Sequence, residues 1–166
     1  MHKLDVRISK RIQAFEKSRM WLWSRVASYG LYSYAVVVSG VLYFINGKSR
    51  VIFMLIPVLA TMIITAIVQI VIRRKRPVVT KTHYDPFIST FSFPSMHASI
   101  SFAFATALSI AFINSWLAFG WLYALIFFLI AICITASRII VGVHYFGDAL
   151  AGALLGMVVS IALIGV

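Results

Sequence analysis

The sequence predicts an all-α fold: a polytopic helical membrane protein with about five transmembrane helices, preceded by an N-terminal amphipathic helix at the bilayer interface, in a single domain over residues 1–166. Three observations predict it. Of the 166 residues, 62% are hydrophobic and the mean hydropathy is +0.99, whereas soluble domains carry roughly 45 to 50% apolar residues. Lys, Arg, Asp and Glu are missing from residues 26–47, 51–72, 98–137 and 149–166. Those runs are apolar on every side, unlike the short alternating strands of a membrane β-barrel.

The elements follow in chain order. Residues 1–25 interleave Lys and Arg with Leu4, Ile8, Ile12 and Phe15 at helical spacing, the pattern of a helix lying in the bilayer surface. No long apolar run follows these charges before Val26, so a cleaved signal peptide is not expected. Trp21 and Trp23 are placed at the headgroup level. A span needs about 20 apolar residues. The first two runs therefore hold one helix each, over 26–46 and 51–72, and the run 98–137 holds two. Asn114 and Ser115 are the turn-favouring pair inside it, which gives spans 97–113 and 116–136. The last span is 147–166. No internal repeat or low-complexity linker divides the chain.

Composition also narrows the partners. The net charge of +11 comes from Lys and Arg that flank the spans. No nucleic-acid-binding motif accompanies them, so the expected partners are anionic lipid headgroups and no nucleic acid. Cys133 is alone and inside a span, which excludes disulfides, zinc and a cysteine-held cluster as organising features. None of this bears on oligomeric state.

Alternating spans bring the loops after the second and fourth helices to one side. The first loop carries Arg73, Arg74, Lys75, Arg76, Lys81, His83, Asp85, Ser95 and His97, and the second carries Ser137, Arg138, His144 and Asp148. Guanidinium forks match phosphate oxygens, so phosphate is the best candidate for an anionic ligand here. A two-metal phosphatase needs several carboxylates, yet beyond the N-terminal segment only Asp85 and Asp148 exist. No metal and no cofactor are expected.

A side-chain nucleophile must then make the first displacement. His144 ranks first, because Asp148 lies one helical turn on, where a carboxylate accepts the imidazole N–H and leaves the other ring nitrogen its lone pair. His97 ranks as the group that protonates the leaving oxygen and later takes a proton from water. In FSFPSMHAS, Ser95 caps the third span and the amides of Met96 and His97 are free to face an anion. His2 and His83 are given no role.

These residues resemble three blocks of the type 2 phosphatidic acid phosphatase superfamily, the membrane lipid phosphatases related to vanadium-dependent haloperoxidases. The third block is complete as SRIIVGVHYFGD, with Ser137, Arg138, His144 and Asp148, and the second is present as PSMH, with Pro94, Ser95 and His97. The first, a Lys followed after six residues by Arg-Pro, is half present: Arg76 and Pro77 are there, but Gln69 stands in place of the Lys. Arg73, Arg74 or Lys75 is the expected substitute for that cation. Met96 stands where Gly is frequent, so its side chain must point away from the phosphate.

The resemblance implies that His144 is the nucleophile, Asp148 its orienting partner and His97 the acid and then base. It also implies that Arg76, Arg138 and Ser95 bind the phosphate. The implied substrate is a lipid phosphate: first a polyprenyl diphosphate such as undecaprenyl diphosphate, then phosphatidylglycerol phosphate or phosphatidic acid. Gln69 motivates an alternative of another class, a catalytically silent lipid-phosphate binder or transporter. A haloperoxidase is disfavoured by the spans. Seven Lys and Arg of residues 1–25 accompany the catalytic loops, against Lys48 and Arg50 opposite. The positive-inside rule therefore favours a multi-pass cell-membrane protein with its site facing the cytoplasm.

Overall fold

The computed structural model describes residues 2–15, 20–77, 91–113 and 119–164. Lys81, His83, Asp85 and the Asn114–Ser115 break lie outside the described residues. Among the described residues five helices follow one another: α1 (His2–Phe15), α2 (Met20–Ile72), α3 (Met96–Ile113), α4 (Gly120–Ile140) and α5 (Phe146–Ile164). No strand occurs among the described residues.

Helix α2 joins two expected spans. Straight, its 53 residues would stretch about 80 Å at 1.5 Å per residue. Both of its ends nevertheless reach the same place. Near the start, the Ala27 carbonyl accepts Arg138 Nη1 at 2.6 Å and the Tyr32 ring stands edge-on to His97, with centroids 6.5 Å apart. Near the end, Gln69 Nε2 donates to the Pro94 carbonyl at 2.7 Å. Leu31, Tyr34 and Val38 also share one core with Met54, Val58, Phe104, Leu108 and Phe112. The helix therefore folds back between Val38 and Met54. Its second limb, Met54–Ile72, joins α3, α4 and α5 as segments long and apolar enough to cross a membrane.

Helix α3 is central and packs against α2, α4 and α5. Small residues make this possible: Ala98, Ser99, Ser101, Ala103, Ala105 and Ala107 are all fully buried, and without a hydrophobic drive between helices in lipid, close backbone approach is what binds them. Glycines continue the pattern on α5. A Cβ on Gly152 would lie 2.6 Å from the Ser95 carbonyl oxygen, and one on Gly156 would lie 2.2 Å from that of Ser99.

Helix α4 starts later and ends later than the charge pattern predicts. It starts at Gly120, where a Cβ would meet the Phe112 carbonyl at 2.4 Å, so α4 approaches the end of α3 closely at that glycine. It ends at Ile140, past Arg138, because the Arg138 side chain is buried inside the bundle and bonded to Ala27.

Helix α1 covers residues 2–15 of the segment expected at the bilayer surface, and Trp21 and Trp23 belong to α2. A polar stripe one turn apart, Asp5, Ser9 and Gln13, docks α1 onto the bundle. Asp5 Oδ1 accepts the Gly147 amide at 2.9 Å, Ser9 Oγ accepts the Phe146 amide at 3.0 Å, and Gln13 Nε2 donates to the Ile139 carbonyl at 3.2 Å. The Phe146 and Gly147 amides are among those that the first turn of α5 leaves without an intrahelical partner, and the Ile139 carbonyl also accepts the Gly142 amide at 3.0 Å.

Candidate active site

The two loops meet where α3 and α5 begin. The cis Phe93–Pro94 segment leads into α3, and the Ser95 carbonyl accepts the Ser99 amide at 2.9 Å, which makes Ser95 the N-cap. The amides of Met96, His97 and Ala98 have no acceptor within the helix. Across the gap, the Ser95 amide donates to the Asp148 carbonyl at 2.9 Å, which ties the PSMH block to α5.

His144 lies in the turn between α4 and α5 and is 1% exposed. Its amide and that of Val143 donate to the Arg138 carbonyl, at 3.3 and 3.1 Å, so the turn wraps around the end of α4. Gly142 makes that turn possible with a φ of 84°, a conformation that glycine adopts without strain.

The expected His144–Asp148 hydrogen bond is not formed. The Nδ1 to Oδ2 separation is 3.8 Å, beyond hydrogen-bond range. Nδ1 instead lies 2.8 Å from the Ser92 carbonyl. A carbonyl only accepts, so Nδ1 carries the proton and Nε2 the lone pair. Asp148 is displaced from the ring because its carboxylate is shared among three other donors. Oδ2 accepts the Ser92 hydroxyl and the Tyr145 amide, the latter at 2.9 Å, and Oδ1 accepts Arg74 Nη1 at 2.6 Å. Ser92 thus links the acid to the imidazole. Burial lowers the His144 pKa below the usual imidazole value, Asp148 works against this, and the Arg138 and Arg76 guanidiniums add to it.

His97, on the first turn of α3, is 8% exposed, and its Nε2 has no protein partner among the described residues. The Ser95 hydroxyl beside it is likewise buried without a partner. Arg76 and Arg138 are close enough to act through space on both imidazoles. Two orphaned polar atoms at the start of α3, with two cations acting on the imidazoles, suit an anion cradle, since a buried donor left unmatched costs about 1 to 3 kcal/mol.

The other candidates fall into place around it. Gln69 is 4% exposed and bonds the Pro94 carbonyl, so it braces the PSMH loop and supplies no charge. Arg73 adopts a left-handed φ of 52° at the end of α2, and its Nε caps the Ile70 carbonyl at 2.9 Å. Lys75 is exposed. Arg74 enters the site, but through Asp148 and Asp5, which it binds at 2.6 Å each, with its guanidinium 4.2 Å from the centre of the Tyr145 ring. Sequence reasoning missed Ser92, Asp5 and Tyr32. None lies within a motif, although Asp5 is one of only four acidic residues in a strongly basic chain.

A groove of about 470 Å³ lies between the first limb of α2 and helices α3 and α4, lined by Val26, Gly30, Tyr34, Leu108, Phe127 and Ile134 among others. Val26, in its lining, precedes Ala27, whose carbonyl Arg138 holds. Its apolar walls suit a hydrocarbon chain.

Known proteins agree with this architecture. A crystal structure of a transmembrane PAP2-type phosphatidylglycerolphosphate phosphatase from Bacillus subtilis superposes with a TM-score of 0.78 at 22% identity, over 99% of this chain and 84% of that one. The structure of Aquifex aeolicus LpxE does so with a TM-score of 0.66 at 20% identity, over 98% and 96% of the two chains. No curated protein matches the sequence. The PAP2 superfamily, in contrast, matches residues 50–166, a stretch that contains all three blocks and every residue of the cradle. The chain accordingly belongs to the PAP2 superfamily, the membrane lipid phosphatases that its motifs resemble.

Proposed function

We propose that this protein hydrolyses a polyprenyl diphosphate such as undecaprenyl diphosphate without a metal, passing the phosphoryl group through His144. One observation carries the reading: the Ser92 carbonyl holds Nδ1 of His144 as its protonated nitrogen, which leaves the Nε2 lone pair for attack. Nε2 bonds to phosphorus as the bond to the lipid oxygen breaks, and His97 Nε2 gives that oxygen its proton. Water then attacks the phosphohistidine, His97 takes a proton from it, and the P–N bond breaks to release phosphate. Arg76, Arg138, the Ser95 hydroxyl and the Met96 amide hold the phosphoryl oxygens. The guanidiniums neutralise charge that grows in the transition state, where preorganised donors count most.

Phosphatidylglycerol phosphate is the second reading, favoured by the likeness to the Bacillus subtilis phosphatase. The protein acts in the cell membrane. The docking of basic α1 at the same end as the site supports a cytoplasmic-facing reaction. A panel of undecaprenyl diphosphate, phosphatidylglycerol phosphate and phosphatidic acid in detergent micelles tests the proposal. Phosphate release that His144→Ala abolishes is the expected outcome. Binding without release from any of them supports a silent lipid-phosphate binder instead.

A further inference from the structure

Of the four acidic residues in the chain, two are bound to one guanidinium. Arg74 gives Nη1 to Asp148 and Nη2 to Asp5, at 2.6 Å each. Asp148 is completely buried, and a buried carboxylate keeps its geometry only if its donors keep theirs. Arg74 is on a long flexible stem with its guanidinium over the Tyr145 ring, and Asp5 gives it a second carboxylate partner beside Asp148. The other oxygen of Asp5 is already fixed by the Gly147 amide at the start of α5, three residues after His144.

We propose that Asp5 is a positioning residue for the phosphatase reaction: it clamps Arg74 against Asp148, and through Asp148 and Ser92 it fixes the ring of His144. Helix α1 is then part of the active-site support and not only a surface anchor. The chain of contacts is continuous, from Asp5 to Arg74, to Asp148, to the Ser92 hydroxyl, and from the Ser92 carbonyl to His144 Nδ1. The groups around His144 are Arg76, Arg138, His97 and the Arg74–Asp148 pair, and Asp5 adds its negative charge on the far side of Arg74.

The inference rests on the proposed phosphatase activity, so wild type is assayed first, by phosphate release from undecaprenyl diphosphate and phosphatidic acid in micelles. Asp5→Asn keeps an oxygen for the Gly147 amide but gives up the charge on Arg74, which separates docking from positioning. Its kcat is expected to fall by roughly ten- to a hundredfold, the scale for groups that orient a reactive ligand, with KM not raised. The acid limb of its pH profile is expected to move to lower pH, because a lost negative charge makes His144 harder to protonate. Asp5→Glu restores the limb, and Lys10→Gln on the exposed face of α1 leaves the rate unchanged.

Arg74→Gln, which leaves the α1 caps on α5 in place, is expected to lose kcat by a similar factor, and Asp5→Asn added to it to cost nothing further. Additive losses, or Asp5→Asn at wild-type kcat with an unmoved acid limb, overturn the positioning role while the phosphatase reading stands. A wild type that releases no phosphate sinks the reading itself.

Discussion

Gly152→Ala places a methyl group where α5 crosses α3, and the structure sets the size of the response. The added Cβ would lie 2.6 Å from the Ser95 carbonyl oxygen and 3.1 Å from Ala98 Cβ and Ser99 Oγ. The Ser95 carbonyl cannot swing aside, because it caps the first turn of α3. Relief to the 3.4 Å of ordinary contact requires the two helices to part by about 0.8 Å. The same Ser95 donates its amide to the Asp148 carbonyl at 2.9 Å, so this separation pulls the two histidine blocks apart. A displacement approaching 1 Å costs up to about a hundredfold in rate when reacting groups must be held in line, and overpacking costs about 1 to 3 kcal/mol of stability. Phosphate release at saturating lipid and thermal unfolding of the same preparation measure both. Gly156→Ala, with a 2.2 Å approach to the Ser99 carbonyl, should lower the melting temperature further. A Gly152→Ala protein at wild-type kcat would refute the claim that helix contact sets the register of the site.

Other outcomes follow from the same geometry. Gln69→Leu leaves the buried Pro94 carbonyl without its donor and should cost about 1 to 3 kcal/mol in denaturant unfolding, while a variant of unchanged stability removes Gln69 as a brace. Asp148→Asn cannot serve Arg74, Ser92 and the Tyr145 amide together, and kcat should fall by roughly a hundredfold or more; less than a twofold loss contradicts the network. Because the His144 pKa is lowered in the folded protein, with burial the largest cause, its neutral form should persist below pH 6.5 and the acid limb of kcat/KM should lie below that value. The sign for stability is the same. The unfolded chain takes up a proton that the buried ring declines, so stability should decline as pH falls below about 6.5 until the folded pKa is passed. In a Cys133→Ser background, cysteines placed at Ser49 and Lys81 should label from opposite faces of the membrane, with Lys81→Cys reached from the cytoplasm; labelling of Lys81→Cys from outside reverses the proposed orientation.

The spans were legible because bilayer burial leaves a plain signature, long runs without charge. The ends of α4 were not, since the rule that a charge ends a span fails at Arg138, where the guanidinium is buried and satisfied by a backbone carbonyl one helix away. His97 and His144 could be paired from the sequence because alternating spans deliver their loops to one side. The partner of His144 could not. One-turn spacing makes Asp148 a neighbour of the ring, but whether it bonds the ring depends on who else claims its oxygens, and Ser92, Arg74 and the Tyr145 amide are brought there only by the fold. Asp5 was hidden for a related reason. The apolar spacing of Leu4, Ile8 and Ile12 is the pattern expected of an interfacial helix, whereas the stripe of Asp5, Ser9 and Gln13 that meets the bundle has no pattern distinguishable from a solvated face.

A rapid-quench experiment with undecaprenyl diphosphate labelled on its terminal phosphate tests the central claim most directly. During turnover, and before free phosphate reaches its steady rate, an acid-labile and alkali-stable phosphoryl adduct should form on His144, identified in the peptide that contains it, and should be missing from His144→Ala. Full phosphate release with no adduct on that peptide, or release by the His144→Ala protein at an undiminished rate, contradicts it.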